Sequence, residues 1–117
     1  MNLGIDIIDL TRILGILLDN AIEECMNVQD GYIEIKIRSN QQMTSFIIKN
    51  IISNDKKKEG IQKNKSTKEG HSGLGLSIVD MIIKEYPSVT LNSFIDNDIF
   101  IQSLNVTNEK NSDNGVV

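Results

Sequence analysis

The pattern of apolar and polar positions predicts two amphipathic helices and four strands. Apolar residues recur at three- and four-residue spacing over residues 9–26, with Asp9 as the expected N-cap, and again over residues 74–86, where Pro87 stops the pattern. Between and after the helices, short β-branched or alternating runs separated by turn residues are typical of strands. The strands are expected over residues 32–37, 44–52, 88–94 and 99–106.

The order of these elements predicts an α+β fold. A helix, two strands, a second helix and two more strands favour a two-layer α/β sandwich, with the helices packed on one face of a mixed, mainly antiparallel sheet. We expect one domain over residues 1–106, followed by a polar, disordered tail over residues 107–117. Residues 53–72 are rich in Lys, Asn, Ser, Glu and Gly, and a loop of this length is usually a binding loop or a lid.

Composition excludes several classes of protein. The net charge of -4 argues against a nucleic-acid partner, because such binding needs a basic surface. A single cysteine excludes an internal disulfide and a cysteine-rich zinc site, and Cys25 lies in an apolar helical pattern, where we expect a small buried side chain. No apolar run approaches the ~20 residues that span a bilayer, so the domain is not expected to be embedded in a membrane.

Polar residues interrupt the apolar pattern of the first helix. Asn20 and Glu24 stand four residues apart, which places them one turn apart on the same side of the helix. An amide beside carboxylates can hold a hydrated Mg²⁺ that takes its remaining ligands from phosphates. A solvated helix edge explains Glu23 and Glu24 equally well, but it explains Asn20 less well because apolar residues crowd it.

Glycines open the second helix. Gly73 and Gly75 allow a ligand to approach the backbone closely, and a helix N-terminus offers unpaired N–H groups to a phosphate. The tripeptide Ser66-Thr67-Lys68, shortly before them, supplies two hydroxyls and a point charge that suit a polyphosphate. Many helices begin after glycine-rich turns and many such tripeptides are solvated loops, and the pattern matches neither the dinucleotide fingerprint nor the Walker loop.

Taken together, these motifs resemble the histidine-kinase-like ATPases of the Bergerat fold. Residues 14–23, Leu-Gly-Ile-Leu-Leu-Asp-Asn-Ala-Ile-Glu, resemble the N box of that family, and residues 66–79 resemble its second glycine box with the preceding lid. The subgroup that the chain resembles most is the peptide-pheromone quorum-sensing kinases of the accessory gene regulator type. The resemblance extends over residues 10–106.

The resemblance implies an enzyme, the catalytic domain of a two-component sensor histidine kinase. Such a domain binds Mg-ATP and donates the γ-phosphate to a histidine on a separate dimerisation segment of the same receptor, which then signals to a response regulator. It implies a cytoplasmic domain of a membrane-bound receptor. A chain without the phosphoacceptor segment is not expected to phosphorylate itself, and His71, the only histidine, lies in the lid and is not a good acceptor.

The resemblance also assigns roles to individual residues. Asn20 and Lys68 are the expected catalytic residues, with Asn20 coordinating Mg²⁺ and Glu24 as a second candidate ligand. Asn50 falls where most members carry the aspartate that reads the adenine amino group. The residues expected to contact ATP are Asn20, Asn50, Thr67, Lys68, His71, Gly73, Leu74, Gly75 and Leu76.

Two departures from the family pattern keep alternatives open. Residues 50–54 lack the Asp-x-Gly-x-Gly of a first glycine box, although an amide oxygen can still accept a hydrogen bond from adenine. Ile16 stands where orthodox N boxes place Asn or Glu, so ATP hydrolysis is not the expected main reaction, whereas phosphoryl transfer depends more on positioning and charge. The alternatives are a degenerate, non-catalytic interaction module and an anti-sigma-type serine kinase, which would carry an orthodox first glycine box.

Overall fold

A computed structural model describes residues 3–26, 28–52 and 72–109 of the chain, with only the backbone of residues 72–74. All six predicted elements are present, and their ends differ from the expected ones by no more than three residues. They are α1 (Ile7–Cys25), β1 (Ile33–Ser39), β2 (Met43–Ile51), α2 (Ser72–Ile83), β3 (Val89–Asp96) and β4 (Ile99–Thr107). Neither of these helices is long and apolar enough to cross a membrane.

The four strands form one sheet in the order β1-β2-β4-β3. Each neighbouring pair described is antiparallel, so the mixed pairing expected from the sequence is not seen among these strands. The β3–β4 connection turns at Asn97, whose φ of 60° is a left-handed conformation that asparagine tolerates better than most residues. The two central strands, β2 and β4, carry the inner layer of the core.

Both helices cover the same face of the sheet, as predicted. Residues paired across neighbouring strands point to one face, and Phe46, Ile48 and Leu104 are buried on the face beneath α1. From the helix side, Ile13 and Leu17 are fully buried against them. The core is completed by Ile5, Leu10, Ala21, Val79, Ile82, Val89 and Val106.

The first helix begins earlier than its expected N-cap. The Oδ1 atom of Asp6 accepts a hydrogen bond from the backbone N–H of Ile8 at 2.8 Å, which makes Asp6 the N-cap. The prediction of Asp9 as the cap was therefore wrong. Both aspartates precede apolar positions, so the spacing alone does not separate them, and Asp9 has a different partner because its carboxylate accepts a hydrogen bond from the hydroxyl of Tyr86.

A pH-dependent loss of stability is expected from this tyrosine. The hydrogen bond to Asp9, and secondly desolvation, raise the pKa of Tyr86 above its ordinary value of 10.0. The pKa of Tyr86 is higher in the folded state than in the unfolded state. The hydrogen bond to Asp9 therefore stabilises the protein fully below the unfolded-state pKa, and this stabilisation is lost as the pH rises through the folded-state pKa. Urea unfolding should show that the free energy of unfolding falls more between about pH 8 and about pH 11 in the wild type than in Tyr86→Phe. Equal losses would contradict this, and Tyr32→Phe, at an exposed tyrosine, should behave like the wild type.

A buried polar network closes the opposite end of the sheet from Asn50. The hydroxyl of Thr44 donates to Oδ1 of Asn108 at 2.9 Å, and Nδ2 of Asn108 donates to the carbonyl of Asn40 at 2.8 Å. The backbone N–H of Asn108 donates to the carbonyl of Gln42 at 2.8 Å. These bonds tie the end of β4 to the β1–β2 turn, and they place Thr107 and Asn108 in the ordered fold although the sequence predicted a tail from residue 107.

Candidate functional site

Asn20 lies in the last third of α1, at the side of the helix. It is half-buried, whereas Leu17 and Ala21 on the underside of the helix are fully buried and Asp19 is exposed. The side chain is therefore close to the core but is not part of it. Glu24, one turn further along, is also half-buried. The helical spacing predicted for Asn20 and Glu24 is confirmed, and their binding of a metal stays a prediction.

Asn50 lies at the penultimate position of β2 and is completely buried. Its Nδ2 atom donates to the backbone carbonyl of Ile51 at 3.1 Å, while its Oδ1 atom has no hydrogen-bond partner in the described part of the protein. A buried polar atom without a partner destabilises a protein by about 1–3 kcal/mol. Most such atoms in native proteins are satisfied, so this oxygen is suited to accept a hydrogen bond from a ligand.

Two contacts show that α1 runs toward the end of the sheet where Asn50 lies. Nε2 of Gln102 donates to the carbonyl of Leu17 at 3.1 Å, and Gln102 pairs with Ile48 on β2. At the end of α1, Sγ of Cys25 donates to the carbonyl of Tyr32, just before β1 begins opposite Asn50.

The positions of both amides follow from this alignment. Asn20 lies about 4.5 Å beyond Leu17 along the helix axis. Asn50 lies about 7 Å beyond Ile48 along its strand. Helix α1 and strand β2 therefore bring Asn20 and Asn50 to the same end of the domain.

The second helix begins at this same end. A Cβ atom added to Gly75 would lie 3.1 Å from Cγ2 of Ile16, which shows how closely α2 approaches α1 there. Tyr86, just beyond the end of α2, contacts Asp9 in the first turn of α1. The two helices are therefore antiparallel. The start of α2, which includes the backbone of Gly73, lies beside the part of α1 that leads to Asn20.

The close contact between the helices explains two sequence features. Gly75 allows the first turn of α2 to pack against Ile16, so the glycine has a packing role beside any contact with a ligand. Ile16 is an apolar contact residue between the helices, at the position where the sequence pattern expected a polar group. Nothing in this contact could act as a base.

The described residues contain part of the predicted site. The side chains of Asn20, Asn50 and the half-buried Leu76 are described, and Gly73, Leu74 and Gly75 lie in the first turn of α2. The predicted ligands of the lid lie outside the described residues, so their roles stay predictions. They are Thr67, Lys68 and His71.

The donor set limits how a metal ion could be held. Among the described residues, no group of three or more His, Cys, Asp or Glu side chains could bind one. Mg²⁺ takes near-octahedral oxygen ligands and keeps waters or borrows phosphate oxygens. The amide oxygen of Asn20 fits a Mg²⁺ that arrives with a polyphosphate better than a metal bound by protein side chains alone.

Sequence reasoning missed Gln102 as a residue of this region. A signal for it was present, because alternation along β4 places Phe100, Gln102, Leu104 and Val106 on one face. Three of these four residues are apolar, so a glutamine among them has to be buried. Cys25 also differs from its expected burial, since it is a half-buried free thiol.

Comparisons with known proteins agree with the fold. Two nucleotide-free forms of the catalytic domain of histidine kinase ThkA superpose with TM-scores of 0.66 and 0.67, at 21% and 20% identity. Each match covers 89% of this chain and 69% of the other chain. A mycobacterial sensor histidine kinase, MprB, superposes with a TM-score of 0.66 at 17% identity, covering 90% of this chain and 74% of that one. These likenesses show a shared architecture.

The sequence itself identifies the family. No curated protein matches the chain. The sequence profile of the GHKL domain, in contrast, matches residues 5–107, which include all the helices and strands described above. The chain therefore belongs to the GHKL domain family.

Proposed function

We propose that this domain binds Mg-ATP and donates the γ-phosphate to a histidine on a separate dimerisation segment, as the catalytic domain of a sensor histidine kinase. The observation that carries the proposal is the buried, unpartnered Oδ1 atom of Asn50, at the same end of the domain as Asn20 and the start of α2. Membership of the GHKL family and the likeness to the structures of two histidine kinases support it.

The adenine end of the site rests on Asn50. Its Oδ1 atom is fixed in the sheet and its Nδ2 atom is bonded to the Ile51 carbonyl, so the oxygen is the atom that remains for a ligand. The exocyclic amino group of adenine is a hydrogen-bond donor of the required kind. Accepting this hydrogen bond removes the cost of the unpartnered oxygen, so ATP binding completes a buried hydrogen bond.

The phosphate end rests on α1 and α2. The first turn of an α-helix offers N–H groups without intrahelical partners and the positive end of the helix dipole, so the start of α2 is suited to a phosphate. Asn20 would hold Mg²⁺ by its amide oxygen, with Glu24 as a second candidate ligand, and the metal would neutralise charge on the phosphates. Lys68, Thr67 and His71, which lie outside the described residues, would contact the phosphates.

The reaction class follows from what α1 lacks. Ile16 packs against Gly75 and provides no base to activate water. Transfer of a phosphoryl group to an imidazole depends on alignment and charge neutralisation more than on a protein base. We therefore propose a phosphotransferase rather than a hydrolase.

The proposal extends to partners and location through the resemblance to peptide-pheromone quorum-sensing kinases. The partners would be the histidine-bearing dimerisation domain of the same receptor and a response regulator. The domain would lie on the cytoplasmic side of a membrane-bound receptor. The net charge of -4 is consistent with the absence of nucleic acid from this set.

A second candidate function is a degenerate, non-catalytic interaction module. The apolar contact of Ile16 with Gly75 and the lack of an Asp-x-Gly-x-Gly pattern over residues 50–54 favour it. The two candidates differ in one measurable property, because a module that only docks onto a partner has no need of nucleotide affinity.

Asn20→Ala is the variant that tests the proposed function. Calorimetric titration of the wild type with a non-hydrolysable ATP analogue and Mg²⁺ should show binding, and Asn20→Ala should weaken it about tenfold, since one ligand of the metal is lost. Asn92→Ala, which removes an exposed amide on the open face of the sheet, should bind like the wild type. No heat up to millimolar nucleotide would sink the catalytic proposal, and unchanged Mg²⁺-dependent binding by Asn20→Ala would refute the metal assignment.

A further inference from the structure

Gln102 is a buried amide in the middle of an apolar layer. It is 1% exposed, and its Nε2 atom donates to the backbone carbonyl of Leu17 in α1 at 3.1 Å. Leu17, Ile48 and Leu104, which belong to the same layer of the core, are each exposed by less than 2%. An apolar side chain of the same length would fill this space without an amide to satisfy.

The helix does not require this hydrogen bond for its own structure. In an α-helix the carbonyl of residue 17 already accepts from the N–H of residue 21. Burying an amide is unfavourable unless it is hydrogen-bonded, and a bonded one contributes little net stability over an apolar replacement. The bond instead fixes the position of α1 relative to the sheet, because it connects the Leu17 carbonyl of α1 to Gln102 of β4.

This hydrogen bond lies close to both amides of the candidate site. Leu17 is three residues before Asn20, and Gln102 pairs with Ile48, two residues before Asn50. The bond therefore joins the helix that carries Asn20 to the sheet that carries Asn50, three residues from Asn20 along α1 and next to the residue pair two positions before Asn50. A slide or rotation of α1 on an otherwise apolar layer would change the distance between them.

We propose that Gln102 is a positioning residue that fixes α1 on the sheet, so that Asn20 holds the metal at the correct distance from a nucleobase bound at Asn50. This inference rests on the proposed function. Gln102 itself does not touch the ligand, and it acts through the Leu17 carbonyl.

A packing role and a positioning role have opposite signatures. If Gln102 only fills space, Gln102→Met, which is of similar length and unbranched, retains both stability and affinity. If it positions α1, Gln102→Met retains stability but loses part of the benefit that Mg²⁺ gives to nucleotide binding. The readout is the Mg²⁺ enhancement, defined as the ratio of the dissociation constants of an ATP analogue with EDTA and with Mg²⁺.

We expect Gln102→Met to reduce the Mg²⁺ enhancement about tenfold, as is common for residues that orient metal ligands. Affinity in EDTA should stay near that of the wild type. Asn20→Ala should show a similar loss, and the double variant should lose no more than Asn20→Ala alone, because both changes remove one function. Ile48→Val, in the same layer, is the matched control and should lower the unfolding midpoint without changing the enhancement.

A nucleotide-free readout separates this inference from the proposed function. Amide hydrogen exchange measured by NMR should be faster at Ala21, whose N–H bonds the Leu17 carbonyl, in Gln102→Met than in the wild type. An unchanged Mg²⁺ enhancement, or additive losses in the double variant, would overturn the positioning role. If the wild type binds no nucleotide, the proposed function fails, and unchanged exchange at Ala21 would then show that Gln102 does not hold α1 either.

Discussion

Asn50→Leu is expected to weaken ATP binding about 100-fold, because the adenine amino group would be buried without its hydrogen-bond acceptor. This loss of affinity is at the upper end of the usual effect of leaving a buried donor unpaired. In the free protein the same change should raise the free energy of unfolding by about 1 kcal/mol, because removal of the unpartnered Oδ1 atom outweighs loss of the bond from Nδ2 to the Ile51 carbonyl, and leucine keeps the branched shape of asparagine. A single substitution would thus lower the affinity for ATP and raise the stability of the free protein, which is a common trade-off at functional sites. Calorimetry and urea unfolding of the same preparation measure both.

The nucleobase gives this prediction its control. Adenine presents an amino group where guanine presents a carbonyl oxygen, so Oδ1 of Asn50 can accept from the former only. Asn50→Leu should therefore reduce ATP affinity far more than GTP affinity, and Asn50→Asp, which restores an acceptor, should keep the preference for ATP. An equal loss for both nucleotides would show that Asn50 supports the site without reading the base.

Ile13→Ala is expected to have the largest effect on stability. Ile13 is 0% exposed on the underside of α1, so truncation removes buried apolar atoms and leaves a cavity. Such changes lower the free energy of unfolding by about 2–5 kcal/mol. That is a large share of the total for a domain of this size, which is about 5–15 kcal/mol. The thermal midpoint should fall by roughly 10 °C or more.

The matched control is the same substitution on the same helix. Ile8 is 68% exposed, so Ile8→Ala should change the free energy of unfolding by no more than about 0.5 kcal/mol. Comparable losses in the two variants would mean that α1 is packed differently from the structure. Circular dichroism melts of both variants against the wild type decide the matter.

The main architecture could be predicted because it is encoded by local periodicity. The apolar spacing of α1 and the alternation of β2 have one physical meaning each, and both elements are present. The ends of elements were less certain, because Asp6 and Asp9 are equally good capping residues and only the tertiary contact of Asp9 with Tyr86 separates them. Caps depend on where the rest of the chain brings a partner.

The site was predicted through motifs, and its physical support was not. Asn20 and Asn50 were chosen by resemblance, whereas the hydrogen bond that holds α1 on the sheet near them joins Leu17 and Gln102, which are 85 positions apart. No local pattern encodes such a pair. The network of Thr44 and Asn108 was missed for the same reason, since each residue alone is typical of a wet strand or a tail.

The outer strand β1 has a consequence for how the isolated domain behaves at high concentration. It lies at an edge of the described sheet, and Ile35 and Ile37 are 55% and 64% exposed on the helix side. An apolar edge strand is a template on which another chain can pair. Glu34 and Lys36 alternate with these isoleucines and interrupt the apolar run with charge. Their side chains form an ion pair, with 3.6 Å between Oε2 of Glu34 and Nζ of Lys36. The sequence of β1 thus combines exposed isoleucines that promote aggregation with charged residues that oppose it. Substitution of Glu34 and Lys36 by uncharged residues would favour intermolecular β-pairing.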